Sequence, residues 1–234
     1  MRGPHNIFRL IRTGATLERT GAMNMILSAY QAPWRIRVVA KVIGWPFQWL
    51  GYKGDPSMPP ATRALTALGP AYIKFGQILS TRPDVVGNEL AVQMRVLQDK
   101  LPPFSMIEAQ KMIEAELNQP LGESFKEFSE PVAAASIAQV HRAKLVSDGS
   151  VVAIKVLRPG IEKAFQRDID AFYFAAKMVE ILAPSSRRLR PVEVIQHFEG
   201  VVLGELDLRL ESSSAGEFAK NTKKDVGFQL PRVK

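Results

Sequence analysis

The spacing of apolar positions changes twice along the chain, from helical to strand-like and back. Over residues 5–20, Ile7, Leu10, Ile11 and Leu17 fall on one arc of a helix at about 100° per residue. Arg2, Arg9, Arg12 and Arg19 fall on the other. Residues 54–60, Gly-Asp-Pro-Ser-Met-Pro-Pro, have the composition of a linker. Helical spacing resumes over residues 61–80 and again over 87–99, where Pro102-Pro103 stops it. Ser105 with Glu108 forms a capping box for a helix running to Asn118. From 123 to 157 the pattern becomes strand-like: 124–130 alternates in part, 137–146 continues it, and 150–157 is rich in β-branched residues. Asp148-Gly149 marks a hairpin between the last two. Pro159-Gly160 then releases a helix over 161–182, ending before Pro184, and Pro191 with Glu193 opens another over 191–220. Residues 228–234 look like a further strand. The pattern predicts an α+β chain with helices on both sides of a small run of strands.

Composition adds limits. A chain of 234 residues, 46% hydrophobic and 23% charged, can bury a core. With no Cys, disulfides, thiolate metal sites and cysteine nucleophiles are excluded, and three widely spaced His predict no metal site. The net charge of +8 is lopsided: residues 1–60 hold eight Lys/Arg against Glu18 and Asp55. That asymmetry suits an anionic surface, lipid or nucleic acid. Nucleic acid is disfavoured because no basic strand face carries interleaved aromatics. The longest uncharged run, Thr20 to Trp34, is 15 residues and too short to span a bilayer. No apolar stretch of the kind a secretory leader needs follows the first arginines, although an Arg-rich, acid-poor start also suits a mitochondrial transit peptide. The helix over 5–20 has two readings. It packs on the domain with a solvated face, or it lies on a membrane surface assisted by Trp34, Trp45 and Trp49.

Candidate chemistry centres on Lys155, which ends the apolar run Val-Val-Ala-Ile-Lys. An ammonium there either snorkels to solvent or meets an acidic group, carboxylate or phosphate. A loop between two strands can fold its backbone over a nucleotide's phosphates, and Ala133, Ala134, Ala135 and Ser136 stand where such a loop falls. Glycine usually permits that approach, so three methyl groups on the path should change how a triphosphate sits. Taken alone, Ala-Ala-Ala-Ser is equally a tight packing turn. In the helix over 191–220, Asp207 and Glu211 share a face, while Glu205 points roughly 120° away from Glu211 at 100° per residue. A solvated acidic face is the plain alternative. Lys74 and Gln77 lie at i and i+3 on one helix face with Gly76 between them, permitting close approach.

Together these segments resemble the UbiB-type atypical kinases, the aarF-domain family. The resemblance runs through Leu68-Gly-Pro-Ala-Tyr-Ile-Lys74-Phe-Gly-Gln77-Ile-Leu-Ser-Thr-Arg-Pro-Asp84, Leu97-Gln-Asp-Lys-Leu-Pro-Pro103 and Pro131-Val-Ala-Ala-Ala-Ser-Ile-Ala-Gln-Val-His141. It continues through Val152-Ala-Ile-Lys155-Val-Leu-Arg-Pro-Gly160 and Glu205-x-Asp207, and covers about residues 60–234. It implies a protein-kinase-like N-lobe with an N-terminal helical extension, the C-lobe missing. The domains expected are a basic amphipathic extension (1–55), a helical extension with the K-x-G-Q motif (56–122) and a truncated N-lobe (123–234).

The resemblance also implies roles. Lys155 is the kinase lysine and Glu211 its helix-borne carboxylate. Ala133–Ser136 covers the phosphates and favours ADP-type binding. Lys74, Gly76 and Gln77, with Glu205 and Asp207, close the site against protein substrates, Glu205 pairing with Lys74. The cofactors implied are ATP or ADP with Mg2+, whose ligands are expected beyond this chain. The metal-binding and catalytic-loop motifs of the family have no counterpart before Lys234, and His141-Arg142-Ala143 is no catalytic His-Arg-Asp. The chain alone is therefore expected to be inactive. Family members act as small-molecule kinases or ATPases in ubiquinone biosynthesis, at the cytoplasmic face of bacterial inner membranes or in mitochondria. Partners so implied are adenine nucleotide, a membrane surface or lipid, and a second copy or ubiquinone-biosynthesis proteins. The competing reading is a non-catalytic module that binds membrane or a partner through its basic N-terminus.

Overall fold

The computed structural model describes residues 5–29, 34, 37–38, 45–98, 103–182, 184–225, 227 and 230–233. These residues fall into two compact units, 1–175 and 176–234.

The first unit opens with the expected helix, His5–Thr20, but its arginines turn inward. Arg9 pairs with Asp168 at 2.5 Å, Arg12 reaches the Tyr52 hydroxyl at 3.1 Å, and Arg19 donates to the Gly51 carbonyl at 2.7 Å. Ala15, Thr16 and Thr20 are buried, whereas Ile7 and Phe8 are exposed. The polar arc is the docking face because a 3-10 turn, Trp45–Leu50, lies against it. At Gly51 the approach is so close that a Cβ would stand 2.5 Å from the Ala15 backbone. The Tyr52 N–H completes the joint by donating to Thr16 Oγ1 at 3.0 Å. Arg2 lies outside the described residues, as does the Trp45 side chain.

The helical spacing read over 61–80 belongs to two helices, Pro60–Leu68 and Pro70–Ser80. Gly69-Pro70 divides them. A residue before proline avoids the helical region, and Gly69 takes φ 115°, which a side chain resists. These helices, with Ala22–Ala29, Pro83–Val86 and Asn88–Arg95, close around Ile73, Leu90, Met94 and Leu97. The spacing over 87–99 ends in a short 3-10 turn, Val96–Gln98, and residues 99–102 lie outside the described set.

Ser105 caps its helix as expected, but the Glu108 carboxylate returns to the Ser105 hydroxyl and not to its backbone N–H as in a full capping box. That hydroxyl accepts from the Glu108 N–H and donates to the Glu108 carboxylate, and the helix Met106–Leu117 ends at Asn118 in the left-handed region. Three antiparallel strands follow in the order β1 (Phe125–Ala134), β2 (Ala138–Leu145) and β3 (Val151–Leu157). The Asp148-Gly149 turn joins β2 to β3, with Gly149 at φ 69° and the Asp148 carboxylate accepting from the Ser150 N–H. The helix Ile161–Leu182 spans the residues the sequence pattern assigned to it.

In the second unit the helix expected over 191–220 is broken. Pro191–Leu206 and Leu208–Asn221 meet at Asp207, whose φ/ψ of −90°/91° leaves the helix. Its carboxylate accepts from the Arg209 N–H at 3.0 Å, so Asp207 caps the second helix. Of the strand expected over 228–234, residues 228, 229 and 234 lie outside the described set, and 230–233 carry no strand.

Candidate functional site

The sheet has two unlike faces. Cross-strand partners share a face, so Ala133, Val140 and Lys155 form one row across all three strands. Ala153, two residues from Lys155, lies beside it opposite Arg142. Ala133, Arg142, Ala153 and Lys155 are exposed, and this face carries methyls, cations and the Glu127 carboxylate, which lies 3.9 Å from Arg142 and 3.6 Å from Lys144. The other face holds Gln139, His141, Ala143 and Val156, all buried.

A closed polar network sits on that buried face. The His141 Nδ1 lies 2.8 Å from the Ser129 carbonyl, and Nε2 lies 2.9 Å from the Gln139 amide nitrogen. A carbonyl only accepts, so Nδ1 carries the proton and Nε2 accepts from Gln139. The Gln139 Oε1 accepts from the Phe104 N–H at 2.9 Å, and its amide also donates to the Phe104 carbonyl at 3.4 Å. Phe128 stacks on the imidazole at 4.5 Å. His141 thereby staples the β1 bulge around Ser129 and Glu130, where the register with β2 shifts and Pro131 is tolerated. His141, in the strand before Lys155, holds the fold together through this network. Gln139 and His141 were read only as part of the family resemblance; a polar pair at i, i+2 inside an apolar strand was the signal of a buried network.

The alanine loop is only partly a loop. Ala133 and Ala134 still belong to β1, and the turn itself is 135–137, closed by the Ala135 N–H on the Ala138 carbonyl at 2.8 Å. The strand extends further than expected because Ala134 still pairs with Gln139. Ala133 and Ala135 are exposed, while Ser136 is buried.

Gly76 and Gln77 face the core of the helical extension. A Cβ on Gly76 would stand 2.5 Å from Leu97 Cδ1 and 2.6 Å from Leu65 Cδ1. The Gln77 amide donates to the Leu97 carbonyl at 2.7 Å, tying Pro70–Ser80 to the 3-10 turn at 96–98. Lys74 is half-buried on the same helix. Tyr72 and Phe75 pack on Phe172 with ring centroids 4.7 and 5.3 Å apart, and the Tyr72 hydroxyl meets Thr13 at 2.7 Å. Burial pushes the Tyr72 phenol up to about 12.

Glu205, Asp207 and Glu211 belong to the second unit. The break at Asp207 removes the common helical face assigned to Asp207 and Glu211, because they no longer share one helix axis. Asp207 is paired with Arg209, whose Nε and Nη2 reach its two oxygens at 2.9 and 3.1 Å. The Arg209 guanidinium holds the Asp207 carboxyl below the usual carboxylate range. Glu205 is half-buried at the end of Pro191–Leu206, and Glu211 is exposed in the first turn of Leu208–Asn221. Among the described residues no group of three or more His, Asp or Glu could hold a metal ion.

A three-stranded antiparallel sheet with a lysine on its third strand, a tight small-residue turn between the first two, and helices before it defines a protein-kinase-like N-lobe with a helical extension. The sequence pattern of the ABC1 atypical kinase-like domain matches residues 96–234, and the chain belongs to that family. It is 38% identical over 233 residues to the "Probable protein kinase UbiB" of Shewanella baltica (strain OS155), covering 99% of this chain and 41% of that protein. Proteins of the same name from Shewanella sp. (strain MR-7) and Shewanella putrefaciens are 37% and 36% identical over the same shares. The chain thus spans about two fifths of the length of these relatives.

Proposed function

We propose that this chain forms the nucleotide-binding lobe and gating extension of an atypical kinase or ATPase that takes adenine nucleotide and serves ubiquinone biosynthesis. The observation that carries the proposal is the row Ala133–Val140–Lys155 on the exposed sheet face, at the mouth of the 135–137 turn. An exposed, methyl-lined stretch of sheet with the Lys155 ammonium beside the turn suits a flat base and an anionic chain of phosphates. Lys155 meets the phosphates, and Ala133, Ala134, Ala135 and Ser136 cover them. The exposed methyls of Ala133 and Ala135 occupy space that glycines would leave to a third phosphate. By the family resemblance Glu211 is proposed to orient Lys155, and Lys74, Glu205 and Asp207 to close the site, with Gly76 and Gln77 seating the Pro70–Ser80 helix on its core. Bound ATP supplies the phosphoryl group and Mg2+ neutralises its charge; the metal's protein ligands are proposed to lie outside this chain.

Titration of the chain with a fluorescent ADP analogue tests the reading. Lys155→Ala should lose at least tenfold in affinity, since a charge-assisted bond to phosphate is worth roughly 1.5–3 kcal/mol. Equal affinity for both proteins refutes it.

A membrane-surface role accompanies this reading, at the bacterial inner membrane or in mitochondria. Exposure of Ile7, Phe8, Trp34 and Trp49 favours it, while the inward arginines of His5–Thr20 supply less free charge than their number suggests. Flotation with anionic vesicles that survives deletion of residues 1–55 refutes that assignment to the N-terminus.

A further inference from the structure

The turn under the proposed phosphates is gripped by a residue with no assigned role. Arg158, just past β3, donates its backbone N–H to the Ile137 carbonyl at 2.8 Å. Its guanidinium donates twice more, from Nε and Nη2, to the Ala135 carbonyl at 3.2 and 3.1 Å. The guanidinium carbon lies 5.8 Å from the centroid of the Phe104 ring. Phe104 is itself fixed through both backbone polar groups by buried Gln139. A chain of contacts therefore runs from the buried face of the sheet, through Phe104 and Arg158, to the loop.

The geometry dictates what this grip does. A trans peptide is planar, with its carbonyl and N–H pointing in opposite directions. While Arg158 holds the Ala135 carbonyl, the Ser136 N–H must point away from Arg158. In the nucleotide reading above that amide is the donor offered to phosphate, and its direction is set by the side chain at the opposite edge of the peptide.

We propose that Arg158 is a positioning residue that fixes the 135–137 turn, aims the Ser136 N–H, and thereby sets the preference for a nucleoside diphosphate over a triphosphate. The inference rests on the nucleotide-binding reading above and deepens it. Arg158 acts through the loop and not as a phosphate ligand. Its fork gives two donors to one carbonyl while its flat face lies over Phe104, which an ammonium reproduces poorly.

The test compares the chain with its Arg158→Ala and Arg158→Lys variants, measuring ADP and ATP affinities beside amide hydrogen exchange. Both variants should weaken ADP binding by roughly tenfold, as loss of a charge-assisted hydrogen bond predicts. In both, the ADP-to-ATP affinity ratio should move towards one. Exchange should accelerate at Ala135, whose N–H closes the turn on the Ala138 carbonyl, while β2 and β3 amides keep their protection, which separates a loosened turn from an unfolded lobe. Full rescue of affinity by lysine would show that charge matters and the fork does not, overturning the proposal. An unchanged ADP-to-ATP ratio, with Lys155→Ala still sensitive, overturns it while leaving the nucleotide reading intact. If the parent chain binds neither nucleotide, the nucleotide reading fails and this inference falls with it; accelerated exchange would then mark Arg158 as a support of the turn only.

Discussion

Gly76→Ala puts two familiar effects in direct opposition. Replacing glycine inside a helix by alanine ordinarily stabilises by about 1 kcal/mol, through backbone entropy. Against this, the new methyl would stand 2.5 Å from Leu97 Cδ1 and 2.6 Å from Leu65 Cδ1, with Met94 Sδ at 3.7 Å. Carbon atoms in good contact sit about 3.5–4.0 Å apart, so both leucine tips must retreat by about 1 Å. Leu97 has little room, being buried among Ile73, Leu90 and Met94 while its carbonyl holds the Gln77 amide. Overpacking of this kind costs about 1–3 kcal/mol. Because the clashing atoms are side-chain ends and not backbone, the middle of that range applies. The net expectation is a loss of about 1 kcal/mol, the difference between the two terms. Gly76→Val, with further methyls and a poorer helix former, should lose roughly 3 kcal/mol or more. Urea unfolding at constant slope measures both. An alanine variant more stable than the parent by about 1 kcal/mol would show that helix propensity dominates and that close packing is not the reason for glycine here.

Two further perturbations test the supports of the site. Gln139→Leu removes three hydrogen bonds at once and leaves the His141 Nε2 and both Phe104 backbone groups without it. Each buried group left unsatisfied costs about 1–3 kcal/mol, so a loss of about 3 kcal/mol or more in urea unfolding is expected, and a loss under about 1 would contradict the network. Asp168 gives the first unit a pH dependence. Burial pushes its carboxyl up to about 6, although Arg9 and Arg167 pull the other way. The folded state therefore holds this proton more tightly than the unfolded chain. The contribution is fully present below about pH 4, the ordinary carboxyl value, and is lost as pH rises through about 6. Arg9→Met removes the nearest cation, so the falling limb should move to higher pH in a stability profile; an unmoved limb would contradict the pairing.

The strands, and the place of Lys155 on the third of them, were legible because each depends on local pattern alone: β-branched runs, an Asp-Gly turn and a period of two. The breaks at Gly69 and Asp207 were harder for one reason. Helical spacing persists across a kink, since both pieces keep an apolar side towards a core, and only the punctuating residue reveals the change. Gly-Pro at 69–70 was such punctuation, and so was an Asp followed two residues later by an arginine able to brace it. The arginine face of His5–Thr20 failed differently. Its sequence offers charge but not the partner, and Asp168, Tyr52 and the Gly51 carbonyl are 159, 40 and 32 residues away from the arginines they meet. Arg158 combines both difficulties. In sequence it is one cation at the end of a strand, indistinguishable from a solvated one. Only the fold places the Ala135 carbonyl, 23 residues earlier, under its fork. A motif therefore tells where a candidate loop belongs, while the direction of its peptide groups is set by residues that no local pattern marks.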